Sequence, residues 1–270
     1  VRFDSMKDVG PVIHNPIRRK EDIDRLQPIR VEEDLGHIME TIRLLRRELS
    51  VPLIGFAGAP FTIASYLVEG RPTKNYRLTK QLMFSQPDLW QRLMDKLADM
   101  TSHYLKAQIE AGAQAVQLFD SWAGALSPAD FKRYCLPAIQ SIFERLAPLP
   151  VPKIYFPGVS SGELLPLLQN IKADVISVDW RVDLAEARKR TGGRFALQGN
   201  LDPMVLTAPW PVIEEKVKAL LEKGIREPGY IFNLGHGLFP EAPLETLQRL
   251  TAFVQRYSAQ LIKEEAFANP

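Results

Sequence analysis

The chain is poor in several features that usually announce a function. It has a single cysteine, Cys135, in 270 residues. No disulfide can form within it, and such sparing use suits a reducing compartment, so a cytoplasmic location is expected. No apolar run approaches the ~20 residues a membrane helix requires. The opening VRFDSMKDVG has no basic segment leading into a hydrophobic one, so no signal peptide is read. Charge of one sign is also lacking: 34 basic residues against 32 acidic ones leave +2, too little for a nucleic-acid binder. The basic cluster IRRK, Ile17 to Lys20, reads as a solvated loop. The four histidines are scattered, with no H-E-x-x-H and no cysteine pair, so no metal site is expected. No G-x-G-x-x-G leads from a strand into a helix, and no G-x-x-x-x-G-K-[ST] occurs, which weakens nucleotide-binding readings.

What the chain does have is a rhythm. It is 46% hydrophobic, enough for a sizeable core. Six short apolar runs recur: VPLIGFAGA from Val51, AVQLFDSWAG from Ala115, VPKIYFPG from Val151, ADVISVDW from Ala173, RFALQGN from Arg194 and GYIFNLGHG from Gly229. They are largely apolar rather than alternating, as strands buried on both faces of a parallel sheet are. Helical patterns separate them. One precedes the first run, over DLGHIMETIRLLRRELS. Another covers QPDLWQRLMDKLADMTSHYLKAQIEAG and stops at Gly112. A third, SPADFKRYCLPAIQSIFERL, has Ser127 as N-cap and Pro128 at its first position. SSGELLPLLQNI carries an S-x-x-E pattern from Ser160 to Glu163 and predicts a further helix. VDLAEARKRTGG, PWPVIEEKVKALLEKG and PLETLQRLTAFVQRYSAQLIKEE complete the set, with AFANP as a frayed tail. Strand–helix alternation predicts parallel α/β architecture. Without a Gly/Ser linker the expectation is one domain over residues 1–270, with a connecting region and helix in 1–50 and six βα units in 51–265. A closed (β/α)8 barrel has eight.

In a barrel the C-terminal strand ends share one mouth. Here those ends carry Gly58 and Pro60, Asp120 and Ser121, Pro157 and Gly158, Asp179 and Trp180, Gln198 and Asn200, and Asn233 and His236. So many polar groups from separate strands favour an enzyme mouth over turn chemistry alone. Each residue has a plainer use: Asp120 and Ser121 as turn formers, Asn200 and Asp202 as a turn and helix start, Tyr66 as a core tyrosine. Trp122 to Gly124 could wall a flat ligand. Ser121, His236 and Asp179 could make a nucleophilic triad, but no G-x-S-x-G elbow surrounds the serine. His14, His37 and His103 fall in a loop and in helices and compete poorly with His236.

Five segments, GFAGAPFTIASYLVEG, FDSWAG, ISVDW, LQGNLDP and IFNLGHG, together resemble the uroporphyrinogen decarboxylase family, in order and across the whole chain. The resemblance implies a (β/α)8 TIM barrel, a cytoplasmic homodimer, and catalysis without metal or organic cofactor. The implied activity removes four acetate carboxyls from uroporphyrinogen III, leaving the methyl groups of coproporphyrinogen III. The tyrosine of the family's SY-x-x-EG motif matches Tyr66, implied to position the reacting acetate. The serine after F-[DE] matches Ser121, implied to touch substrate. The histidine of NLGHG matches His236, implied to bind a carboxylate or move a proton, a task suited to a ring that changes charge near neutral pH. Phe56 is implied to line the cleft. The family's MRQAGR arginine and an aspartate on its second strand have no counterpart here, so the first two βα units are expected to lie before Val1, and a chain without them is expected to be weakened as a catalyst. Arg71 and Arg181 do not obviously replace them. Two other readings stay open: a related corrinoid- or zinc-dependent methyltransferase barrel, and a non-catalytic tetrapyrrole-binding fragment.

Overall fold

The computed structural model of the chain describes residues 3–6, 10–226 and 229–268. The opening and closing residues of the sequence, including the last two of the expected frayed tail, lie outside these. The described chain falls into two compact units, Val1–Gly158 with Asn170–Ala173, and Val159–Gln169 with Asp174–Pro270.

The first unit begins with an antiparallel hairpin of β1 (Phe3–Met6) and β2 (Gly10–Ile13) that the sequence pattern did not announce. A short helix α1 (Lys20–Asp24) follows, with Arg18, Arg19 and Lys20 exposed at its start, as expected of a solvated basic cluster. Helix α2 (Val31–Glu48) then leads to β3 (Ile54–Gly58). Next come α3 (Pro60–Glu69), α4 (Arg77–Ser85) and α5 (Pro87–Glu110). Pro60 and Pro87 open their helices, where the missing N–H costs nothing. Helix α5 gives way to Gly112, whose φ of +118° is left-handed, which confirms the glycine stop. The unit closes with β4 (Ala115–Phe119), α6 (Pro128–Tyr134), α7 (Leu136–Leu146) and β5 (Lys153–Phe156). Strands β3, β4 and β5 pair in parallel in that order.

The helix expected from Ser127 to Leu146 breaks at Cys135 (φ −124°, ψ −46°). Pro137 is the cause: it has no N–H for the Arg133 carbonyl, and its ring crowds the turn before it. Ser127 is the N-cap as expected, its Oγ accepting from the Asp130 N–H at 3.1 Å. The core forms where α5 packs on α7 and β3. Trp90, Leu93, Met94 and Leu97 are wholly buried on one face of α5, and Ile139, Ile142 and Phe143 on α7. Each such side chain is worth about 1.5–3 kcal/mol relative to exposure.

The second unit contains β6 (Val175–Ser177), α8 (Leu184–Arg190), β7 (Ala196–Gln198), α9 (Trp210–Ile225), β8 (Tyr230–Ile231) and α10 (Leu244–Ala268). Its three strands are parallel in chain order. Helices α9 and α10 share a core of Ile213, Val217, Leu221, Leu250 and Phe253. The helix expected over SSGELLPLLQNI does not form. The segment turns at Ser161, at φ +52°, and yields only a 3-10 turn over Leu165–Leu168. The S-x-x-E pattern serves other partners: the Ser160 N–H donates to Asp179, and Glu163 pairs with Arg190 at 3.1 Å.

Candidate active site

In the first unit the site grows from the ends of β3, β4 and β5. Helix α3 starts two residues after β3, and a helical repeat of four residues places Thr62 and Tyr66 on one face of it. Asp120 follows β4 directly and is completely buried. Its Oδ1 accepts from the Thr62 hydroxyl at 2.8 Å, and its Oδ2 accepts from the Tyr155 hydroxyl at 3.2 Å. Burial pushes the carboxyl up to about 6, against the pull of those donors. Burial and the neighbouring Asp120 also push the Tyr155 hydroxyl up, which keeps it a donor.

The same Thr62 oxygen accepts from the Trp122 backbone N–H at 3.3 Å. The Trp122 ring in turn lies against Tyr66, centroids 4.0 Å apart and planes 34° from each other. Tyr76 packs on the other ring of the pair, 5.3 Å from Trp122. Burial raises the Tyr66 hydroxyl above its usual range, so it is a neutral donor near pH 7. Tyr66 also forms part of the wall of a cavity of about 640 Å³ with Ile63, Leu67, Leu97 and Met100. Ser121 is half-buried between Asp120 and Trp122. The chain passes close behind it: a Cβ on Gly158 would stand 2.6 Å from the Asp120 carbonyl oxygen, and Gly158 has φ +72°. Phe56 is exposed and meets Phe119 edge-on at 5.9 Å. Its backbone N–H and C=O are both taken by the side-chain amide of Gln108, at 2.9 and 2.8 Å.

In the second unit the polar strand ends serve the loops. Asp179 accepts from three backbone N–H groups: Ser160 at 3.0 Å, Ser161 at 2.9 Å and Arg181 at 2.9 Å. The Asn200 amide donates to the carbonyls of Asp179 and Val182 at 2.8 and 2.6 Å. Asp202 caps the turn that follows it, accepting from the Met204 N–H at 2.9 Å. Asn200 and Asp202 are therefore turn residues, as expected. His236 is exposed, its ring 6.2 Å from that of Trp180 in an edge-on contact. The bend before it is tight, since a Cβ on Gly235 would meet the Trp180 backbone nitrogen at 2.4 Å. Arg181 lies over the Trp180 ring at 5.0 Å, and Arg71 is exposed in the first unit.

Of the four residues singled out, Phe56, Tyr66 and Ser121 thus belong to the first unit and His236 to the second. Among the described residues no three His, Cys, Asp or Glu side chains gather as metal ligands. The carboxylate of Asp179, the acid of the triad reading, is taken up by three backbone amides.

A sequence model of the family described as Uroporphyrinogen decarboxylase (URO-D) matches residues 1–257. The chain belongs to the uroporphyrinogen decarboxylase family. The family assignment is supported by relatives named uroporphyrinogen decarboxylase from Geobacillus sp. (strain WCH70) and Bacillus cereus (strain G9842). The first is 54% identical over 253 residues, covering 93% of this chain and 73% of that protein. The second is 53% identical over 257 residues, covering 94% and 73%. The uroporphyrinogen decarboxylase fold of this chain is shared with a solved methyltransferase from Methanosarcina mazei (TM-score 0.78, 20% identity, 95% of this chain and 75% of that one). It is shared also with a B12-independent methionine synthase from Shewanella sp. W3-18-1 (TM-score 0.63, 13% identity, 99% and 75%). The likeness to both is one of fold alone. The class is the expected (β/α) barrel, and the described residues carry six of its parallel strands.

Sequence reasoning missed Thr62, Tyr155 and Gln108 as the hydrogen-bond partners of Asp120 and Phe56. Each pairs with a residue more than thirty positions away, so no local spacing marks it. A polar residue one helical turn before Tyr66 was the one available signal for Thr62.

Proposed function

We propose that the protein is a uroporphyrinogen decarboxylase, converting uroporphyrinogen III to coproporphyrinogen III by loss of four acetate carboxyls. What carries the reading is the match of its motifs and 93% of its length to a relative of that name at 54% identity. At each acetate a proton adds to the pyrrole carbon, the electrons of the C–CO2 bond flow into the resulting cation, and CO2 leaves. A second proton converts the exocyclic methylene to methyl and the ring carbon gives back the first, which restores the pyrrole, so each acetate exchanges CO2 for one proton overall. The chemistry needs oriented proton donors and a dry, apolar wall more than it needs a cofactor.

The residues present suit those needs. Tyr66, neutral and held by Trp122, offers a hydroxyl to the reacting acetate. Ser121 offers a second hydroxyl, and the exposed Phe56 ring an apolar face. His236 binds a carboxylate or carries a proton. The reading takes the protein as a cytoplasmic homodimer. In keeping with this, no described helix is long and apolar enough to cross a membrane. Sedimentation equilibrium tests the dimer.

The deciding experiment uses the protein expressed from its complete reading frame, anaerobically, with uroporphyrinogen III. Coproporphyrinogen III should accumulate through partly decarboxylated intermediates. Tyr66→Phe and His236→Asn should each lower turnover or change which intermediate accumulates. Tight binding of the macrocycle without release of CO2 would instead favour a tetrapyrrole-binding role.

A further inference from the structure

Asp120 has no path to solvent and no basic partner, an expensive place for an acid. Buried acids that are not paired with a base are retained where something depends on their hydrogen bonds. Here the dependent group can be traced. A threonine hydroxyl has one proton to donate and lone pairs to accept with. Asp120 takes the proton of Thr62, at 2.8 Å, which turns a lone pair of the same oxygen toward the Trp122 N–H. That contact fixes the third residue after β4, and the indole it carries covers the Tyr66 ring at 4.0 Å. Thr62 and Tyr66 also ride on consecutive turns of one face of α3, so the hydroxyl and the ring move together.

We propose that Asp120 is a positioning residue of the decarboxylase, acting through the Thr62 hydroxyl to hold the Trp122 ring on Tyr66. It touches neither substrate nor the reacting atoms. Its role is to fix the direction in which the Tyr66 hydroxyl points. What the arrangement requires of position 120 is an acceptor, and a charge is not needed. An amide oxygen serves Thr62 as well as a carboxylate oxygen does, and the Tyr155 hydroxyl can turn from donor to acceptor to meet the amide NH2. The proposal rests on the reading that Tyr66 contacts substrate, and it is tested so that the two can fail separately.

The spectroscopic signature is the near-ultraviolet circular dichroism of the stacked Tyr66–Trp122 pair, taken as wild type minus Trp122→Phe. Thr62→Val keeps the shape of the side chain and removes the hydroxyl. It should lose most of this band and lower kcat about tenfold, with KM changing less than about twofold, since orientation and not affinity is lost. Thr62→Ser should restore both. Asp120→Ala should behave like Thr62→Val, and Asp120→Asn like Thr62→Ser. Thr62→Ala repeats the measurement should the valine variant not fold. An intact band and wild-type kcat in Thr62→Val would overturn the proposal. So would equal losses in Thr62→Val and Thr62→Ser, which would assign the effect to packing. If the unsubstituted protein forms no coproporphyrinogen, or Tyr66→Phe turns over normally, the functional reading fails. The band still decides whether Asp120 and Thr62 hold Trp122 in place.

Discussion

Replacing Asp120 by Asn should change how the stability of this protein depends on pH, in a direction opposite to that of most carboxylates. The Asp120 carboxyl is wholly buried, and burial raises it from 3.8 to about 6. Below the unfolded value both states hold the proton, and the full benefit is present. As pH rises past that value the unfolded chain ionises first and is favoured, so stability falls until the folded carboxyl also ionises near 6. A displacement of about two pH units, at ~1.4 kcal/mol each, makes the loss about 3 kcal/mol. Asp22, Asp24, Asp183, Glu186 and Glu214 are pulled below their usual values by hydrogen bonds and basic neighbours, and their contributions run the other way. Those groups are common to both proteins and cancel in the difference. Cys135 and Tyr155, the titratable neighbours of Asp120, are pushed up and stay neutral throughout. Urea unfolding of wild type and Asp120→Asn, followed by tryptophan fluorescence from about pH 4 to about pH 7, should show the variant gaining about 2.5 kcal/mol on the wild type, the remainder being lost below that range. A difference constant within about 0.5 kcal/mol over that range would refute the argument, because a carboxyl with no differential titration is not buried as described.

Further outcomes follow from close contacts and caps. Gly235→Ala would drive a Cβ to 2.4 Å from the Trp180 nitrogen, whereas a Cβ at Gly237 meets nothing within 4 Å. The first should cost about 1–3 kcal/mol in urea unfolding and disturb His236, and the second less than about 0.5 kcal/mol. Equal effects would show that neither contact is tight. Asp179→Asn places an NH2 among backbone donors and should destabilise by about 1–3 kcal/mol, where Asp120→Asn at neutral pH does not. The Cys135 thiol, buried and pushed well above its ordinary value by desolvation, should resist a thiol reagent in the folded protein and react promptly in urea. Rapid labelling under native conditions would place it elsewhere.

The six parallel strands were legible because each is a short apolar run ending in a turn residue, and a buried strand writes that pattern directly into the sequence. Helices α5, α9 and α10 were legible for the matching reason, a long 3.6-residue period. The break at Cys135 needed Pro137 to be weighed against the pattern around it, and the period alone does not show which prevails. SSGELLPLLQNI fails as a helix because Ser160 and Ser161 give their N–H groups to Asp179, a tertiary demand that propensity does not contain. The hairpin β1–β2 pairs Phe3–Met6 with Gly10–Ile13 without a strict alternation to announce it. Tyr66 and Ser121 in the first unit and His236 in the second were singled out through motifs. The residues that hold Tyr66 in place, Thr62 and Asp120, are 58 positions apart and become neighbours only through the parallel pairing of β3 with β4.

Asp120 and Asp179 show why an acid at a strand end does not by itself identify a catalytic site. Both stand just past a strand, both are buried, and both accept at each carboxylate oxygen. They differ in what donates. Around Asp179 the donors are backbone N–H groups, which can only donate and which belong to the turns after Val159 and Asp179. Removing an acceptor there leaves an orphan donor that nothing can reorient, so the residue is bound to the fold. Around Asp120 the side-chain donors, beside the Thr62 backbone N–H, are two hydroxyls, each able to rotate and to accept as well as donate. Such a shell survives the exchange of carboxylate for amide and survives protonation near pH 6. It therefore keeps Trp122 and Tyr66 in register whichever charge Asp120 carries. A decarboxylase that takes up a proton at each acetate gains from having its tyrosine aligned by a network that does not depend on the ionisation of its deepest member.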